Sequence, residues 1–237
     1  MKKHKTSLLI APIILVVLPL LLLFAYLIDH STTAYSAFSK SNESKIFIID
    51  AGHGGIDGGA VSISGAYESQ INLQIAIRLN DLMHFLGYRT KMIRNEDISV
   101  YTTGETISAK KISDLKERVR IINSTPNSIL ISIHQNYFQD DRYHGAQVFY
   151  SENSESFAKR IQSHFITTIN KGSNRKIKKA NNVYLMENIH CVGVLVECGF
   201  LSNRIEEINL LDAAYQKKIC CIITSAASCY VNDSTVA

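Results

Sequence analysis

The sequence predicts a single α/β domain behind an N-terminal membrane segment, and three observations carry that reading. Short β-branched and aromatic runs alternate with amphipathic helical stretches from Lys45 onward, the order expected of layered α/β folds. Ser7 to Ile28 run for 22 residues without a charge behind the basic start Lys2, Lys3, His4 and Lys5. Residues 45–232 of the 237-residue chain are about the size of one domain.

The uncharged run exceeds the roughly 7 to 15 apolar residues of a cleaved secretory signal and matches the roughly 20 needed to span a bilayer. Residues 1–28 are therefore expected to be a signal-anchor rather than a signal peptide, with the span at about residues 7–28, although small residues near Ala34 to Ala37 leave cleavage open. Pro12 and Pro19 kink such a helix without forbidding it. Lysines ahead of the run and Asp29 behind it keep the N-terminus cytoplasmic and export the rest. Residues 29–44 (DHSTTAYSAFSKSNES) are small and polar, as a tether requires.

Lys2, Lys3, Lys5 and Lys40 against Asp29 account for +3 of the formal +4 net charge, so the exported part is close to neutral and offers no footprint for nucleic acid. The five cysteines all lie in the last fifth of the chain. Adjacent Cys220 and Cys221 point to different faces of a helix, so the cysteines read as small apolar residues before they read as a disulfide framework.

Taken in order, Lys45 to Asp50 (KIFIID) is a buried strand stopped by a glycine-rich turn. Ile71, Ile75, Leu79, Leu82 and Leu86 recur at helical spacing over Ser69 to Leu86, and Gly87 stops that helix. Tyr88 to Arg94 is a strand, Asn95 to Lys110 a polar loop, and Ile112 to Asn123 a helix with Leu115, Val119 and Ile122 inward. Ser128 to Ile133, Ala146 to Tyr150, Val183 to Met186 and Val192 to Val196 read as strands. Helices are expected over Ser154 to Asn170, Asn203 to Leu211 and Ala213 to Tyr230. The basic run Lys171 to Lys179 (KGSNRKIKK) reads as a solvated loop.

Four polar residues stand out. His53 sits in the turn DAGHGGIDGGA, where glycines let a ligand approach the main chain, and no GxxxxGK[ST] pattern makes it a phosphate loop. His134 follows the strand Ser128 to Ile133, so two imidazoles emerge at strand ends, where α/β sheets place their sites. Glu68 precedes the long helix, and Glu197 ends the apolar run VLV, where an unmet charge is costly. Two imidazoles and one carboxylate leave an open zinc position, and zinc brings the pKa of bound water to roughly 7. A second carboxylate can then move protons. His84, His144, His164 and His190 lack such a context.

IFIIDAGHGGIDGGA, YESQINLQIAIRL, LKERVRIIN, ILISIHQN, GAQVFY and VLVECGFLSN together resemble the zinc-dependent N-acetylmuramoyl-L-alanine amidases over residues 45–231. The resemblance implies a twisted, mostly parallel sheet flanked by helices on both sides. It also implies one Zn2+ held by His53, Glu68 and His134, with Glu197 as catalytic acid and base. The implied reaction hydrolyses the lactyl amide between N-acetylmuramic acid and L-alanine of peptidoglycan. Gln135, Tyr137 and Cys198 depart from the family pattern. The 62 residues between His134 and Glu197 leave little room for an autoinhibitory helix, so control falls elsewhere, and a protein partner for activation stays open. The short, tethered layout is similar to germination-specific amidases of spore formers, which serve muramic δ-lactam formation in cortex. Two alternatives stay open at this point: a catalytically silent peptidoglycan-binding module, and a zinc peptidase cutting within the stem peptide.

Overall fold

The computed structural model describes residues 19–26 and 45–234, which belong to two separate units divided after Ser41. Residues 19–26 are helical with exposed apolar side chains. The rest of the expected membrane segment and the tether lie outside the described residues, and among those described no helix is long and apolar enough to cross a membrane.

The second unit runs β1 (Ile46–Ala51), α1 (Glu68–Phe85), β2 (Arg89–Met92), α2 (Ile107–Asn123), β3 (Ser128–Asn136), β4 (Gln147–Tyr150), α3 (Glu155–Thr168), β5 (Lys178–Lys179), α4 (Tyr184–Asn188), β6 (Val192–Phe200), α5 (Arg204–Leu211) and α6 (Ala213–Ser234). The strands form one sheet in the order β2-β1-β3-β6-β4-β5. It is mixed: β1 pairs parallel with β2 and β3, β3 with β6, and β4 with β5, but β4 lies antiparallel to β6.

Period-two alternation gives each central strand two apolar faces, as a sheet covered on both sides requires. Phe47, Ile49 and Ala51 of β1, Ile129, Ile131 and Ile133 of β3, and Val194 and Val196 of β6 face the larger core. There α1 contributes Ile71, Ile75 and Leu79, α3 contributes Phe157, Ile161 and Phe165, and α6 contributes Ile219, Ile223 and Val231. Ile48, Leu130 and Leu195 face a smaller core closed by Ile122 of α2 and by Leu185 and Met186 of α4. Two residues further along each strand, that second face turns polar, with Asp50 on β1, Ser132 and then His134 on β3, and Glu197 on β6.

Several elements differ from the sequence reading. Val183 to Met186 is not a strand but runs into the short helix α4, where Glu187 N donates to the Val183 carbonyl and the side-chain Nδ2 of Asn188 donates to the Tyr184 carbonyl. Four apolar residues carry too little periodicity to separate strand from helix, and the sheet edge goes to Lys178–Lys179 instead. Helix α2 begins at Ile107, where Thr106 Oγ1 caps the Ala109 N–H at 3.1 Å; exposed Ile107 and Ile112 blur its period in the sequence, and Leu115 is exposed rather than inward. Strands β3 and β6 run on to Asn136 and Phe200, so His134 and Glu197 lie inside strands rather than after them. Of the five cysteines only Cys198 and Cys220 are buried, and Cys221 is exposed.

Phe157 is fully buried and packs its ring 4.8 Å from Tyr230, joining α3 to α6 over the larger core. Phe157→Ala is expected to lower unfolding stability by about 3–5 kcal/mol. Denaturant titration measures this, and a loss below about 1 kcal/mol would contradict the packing described.

Candidate metal centre

The site is built from the loop that leaves β1. Gly52 N donates to the Ile133 carbonyl (3.0 Å), which keeps the chain beside β3 for one residue beyond the strand. His53 then adopts a left-handed conformation (φ 60°), and Gly54 and Asp57 exchange backbone hydrogen bonds of 2.8 and 3.1 Å to close a tight turn. A non-glycine residue in that region stores strain that its surroundings must hold.

Two buried guanidinium groups do so. Arg118 of α2 donates to the Ala51 carbonyl (3.0 Å) and the His53 carbonyl (2.7 Å), while pairing with Asp50 and Asp114. Arg94 donates to the carbonyls of Ala51 (2.8 Å), Gly52 (3.0 Å) and Ser69 (2.8 Å). Burial alone disfavours the charge on Arg118, but the Asp50 and Asp114 carboxylates outweigh it and raise its pKa. Asp50, also buried, is held below the usual carboxylate range by Arg118 and by the Ser132 hydroxyl (2.6 Å).

On this frame His53, Glu68 and His134 converge, with candidate ligand atoms all within 4.8 Å of one another. Glu68, the first residue of α1, sits 3.3 Å from His53 Nε2 through Oε2 and 3.1 Å from His134 Nδ1 through Oε1. A helix N-terminus favours a carboxylate there. Glu68 also accepts from Ala60 N (3.0 Å), Gln135 N (3.1 Å) and Asn72 Nδ2 (3.1 Å). Burial opposes its charge, yet hydrogen bonds with His134 and His53 outweigh burial and hold the carboxyl far below its ordinary range.

His53 Nδ1 lies 2.9 Å from Asp57, and Asp57 is itself paired with Lys111 at 2.7 Å. Burial works against protonated His53, but Asp57 and Glu68 prevail and push the imidazole up to about 9. Two glycines leave the necessary space. A Cβ on Gly52 would lie 2.2 Å from the His134 ring, and one on Gly59 would lie 2.6 Å from Glu68 Oε2.

Glu197 is the direct neighbour of His134 across the β3–β6 pairing, on the same face. Its Oε2 is buried without a hydrogen-bond partner among the described residues. Burial, opposed by His134 and reinforced by Glu68, pushes its pKa up to about 7. A cleft of about 200 Å³ opens in front of His53 and His134 between Lys111 and Leu185.

All four residues singled out in the sequence are thus brought together. The other described histidines are not: His84 and His164 lie on helices α1 and α3, His144 on the loop before β4, and His190 before β6. Asp57, Asn72, Arg94 and Arg118 escaped the sequence reading because each looks like an ordinary surface or helix residue until the chain is folded. Gln135, noted only as a departure, is buried and donates to Asn72 (3.2 Å), which extends the network around Glu68. The donor set, two imidazoles and one carboxylate with space left by glycine, fits a zinc ion.

Residues 47–228 match the family model described as N-acetylmuramoyl-L-alanine amidase. The chain is similar to the germination-specific N-acetylmuramoyl-L-alanine amidase of Bacillus subtilis (strain 168), with 36% identity over 205 residues, or 84% of this chain and 85% of the relative. Its fold is similar to that of the CwlD amidase from Clostridioides difficile, solved in complex with the GerS lipoprotein, at 36% identity and a TM-score of 0.76 over 79% of this chain and 98% of that one. A second solved N-acetylmuramoyl-L-alanine amidase, from Clostridium difficile 630, aligns at 28% identity and a TM-score of 0.69 over 81% of this chain and 98% of its own. By the extent of these matches and the strands on which its polar cluster rests, the chain belongs to the N-acetylmuramoyl-L-alanine amidase family.

Proposed function

We propose that this chain hydrolyses the amide joining the lactyl group of N-acetylmuramic acid to L-alanine in peptidoglycan, with one zinc ion held by His53, Glu68 and His134. The observation that carries the proposal is the unpartnered, buried Oε2 of Glu197 on the strand next to His134. A carboxylate in that condition, beside a His–Glu–His cluster, is poised to exchange protons rather than to stabilise the fold.

Zinc in this cluster would supply Lewis acidity to the scissile carbonyl and a water acidic enough to attack at neutral pH. Glu197 then acts as the acid and base: its Oε2 takes a proton from the attacking water and delivers it to the nitrogen of L-alanine as the C–N bond breaks. Asp57 fixes the His53 ring so that Nε2 faces the cluster, and Asn72 and the Gln135 backbone fix Glu68 in the same way. The cleft between Lys111 and Leu185 receives part of the substrate.

The biological setting follows from the N-terminus and the relatives. The basic start and uncharged run of residues 2–28 support action outside the cytoplasmic membrane, with the segment as anchor and residues 29–44 as tether. Likeness to a germination-specific amidase supports a role in spore cortex, where removal of the peptide precedes muramic δ-lactam formation. The lipoprotein bound to the Clostridioides difficile relative supports an activating protein partner for this chain as well.

Incubating the full chain with purified peptidoglycan, with and without zinc, should release peptides beginning with L-alanine only when zinc is present. Peptides beginning at another residue in the mass spectrum would instead favour a peptidase. Glu197→Gln should keep zinc and lose at least about a hundredfold in turnover, whereas His53→Ala should lose both; full turnover by Glu197→Gln would remove its assigned role. Asp57→Asn should weaken zinc affinity about 10- to 100-fold, measured by chelator competition, and unchanged affinity would sink the orienting role.

Protons and zinc compete for the same imidazole nitrogens, and the protonated form of His53 is favoured up to about 9. Falling pH therefore disfavours loading, and apparent zinc affinity should weaken about tenfold per pH unit below that point for each proton displaced. Affinity that stays flat between pH 6 and 8 would contradict the proton competition.

A further inference from the structure

The face that carries His134 and Glu197 continues onto β4. Gln147 is the register partner of Glu197 in the antiparallel pair, so the two side chains leave the sheet on the same side. Beside Gln147 lies a groove of about 560 Å³ walled by Tyr143, His144, Arg175, Lys176 and Lys178. Gln147 is tied to that wall, donating from Nε2 to the Lys176 carbonyl (2.6 Å) and accepting at Oε1 from Arg175 Nη1 (3.1 Å).

Arg175 belongs to the stretch that reads in the sequence as a solvated loop, yet its head is held in place. Nε donates to the His144 carbonyl (3.0 Å), and the guanidinium carbon lies 4.6 Å from the Phe200 ring centre and 5.6 Å from that of Tyr143. A guanidinium has five N–H donors, and these placements use two of them. Arg142 at the rim is engaged by Asp140. Among the described residues lining the groove there is no Asp or Glu, while Arg175, Lys176 and Lys178 leave it positively charged.

We propose that this groove binds a carboxylate of the peptide attached to L-alanine, with Arg175 as the residue that pairs with it and Lys176 and Lys178 supplying the attracting field. The inference deepens the amidase reading and rests on it for the identity of the ligand. The bond cut has a sugar on one side, bearing hydroxyl and N-acetyl groups, and a peptide bearing carboxylates on the other. Planar guanidinium groups pair with carboxylates through two parallel hydrogen bonds. A positively charged groove one strand from Glu197 therefore matches the peptide side.

The test is calorimetric binding to the zinc-loaded full chain of an L-alanine-initiated peptide with free carboxylates and of the same peptide with every carboxylate amidated. The acid form should bind about ten- to a hundredfold more tightly, the range of a charge-assisted pair. Arg175→Gln should bring the acid form down to the affinity of the amide while leaving the amide unchanged, and Arg175→Lys should recover part of the difference. The double change Lys176→Gln/Lys178→Gln, at exposed positions, should lower the acid form alone and make its binding less sensitive to salt. Equal affinity of acid and amide, or an equal fall of both in Arg175→Gln, would overturn the assignment. The amidase reading is judged separately by cleavage of peptidoglycan: a chain that cleaves yet binds both peptides equally refutes the groove alone. A chain that discriminates between the peptides yet does not cleave upholds the groove and refutes cleavage by the unaided chain.

Discussion

Arg118 lies beneath the end of β1 with its guanidinium shared between two carboxylates and two backbone carbonyls. Where β1 leaves the sheet, the carbonyls of Ala51, Gly52 and His53 lose their strand partners, and the chain must then turn through a left-handed histidine. Buried carbonyls without donors are costly, and Arg118 and Arg94 supply the donors. The Asp50 and Asp114 carboxylates make the buried charge of Arg118 tolerable; removing one partner of such a buried pair typically costs about 3–5 kcal/mol, because the other charge is stranded. The position of His53, and through it the whole cluster, depends on this small set of charges rather than on the apolar core.

Two glutamates beside the same histidine show how environment separates roles. Glu68 stands at a helix N-terminus, meets two imidazoles and three N–H donors, and is held ionised. Glu197 stands in the middle of a strand, faces the same histidines from the next position, and has one oxygen that meets no donor among the described residues. Burial therefore dominates for Glu197 and hydrogen bonding for Glu68, so their pKa values move in opposite directions. Pairs of carboxylates pushed apart in this way are how one site keeps both a fixed charge and an exchangeable proton.

The sequence made the central elements legible because β1, β3 and β6 are continuous β-branched runs and α1 keeps a clear helical period. The four polar residues were legible for a related reason: each interrupts or borders one of those apolar patterns. Their supports were not. Asp57 is one acidic residue in a glycine-rich turn, Asn72 falls on a helix face like any other, and Arg94 and Arg118 resemble solvated cations until tertiary contacts bury them. The strand limits are hidden where polar residues lie within the strand, since Glu197 looks like a stop signal in sequence, yet β6 runs three residues further and Phe200 pairs with Asn136 after a register shift. The short helix α4 and the two-residue strand β5 carry too few residues for any periodicity to declare itself.

Gly52 changes how relatives of this chain must be compared. With a Cβ at that position 2.2 Å from the His134 imidazole, the ring and the backbone of the turn occupy what would be one another's volume. An inventory of the four polar residues therefore underdetermines competence in this family. A homologue that keeps all four but has gained one methyl group at the position of Gly52 would retain every chemical group and lose their meeting point. Degeneration of such a domain can thus begin at a residue with no chemistry of its own, and a survey for inactive copies should read the glycines of the turn as closely as the histidines.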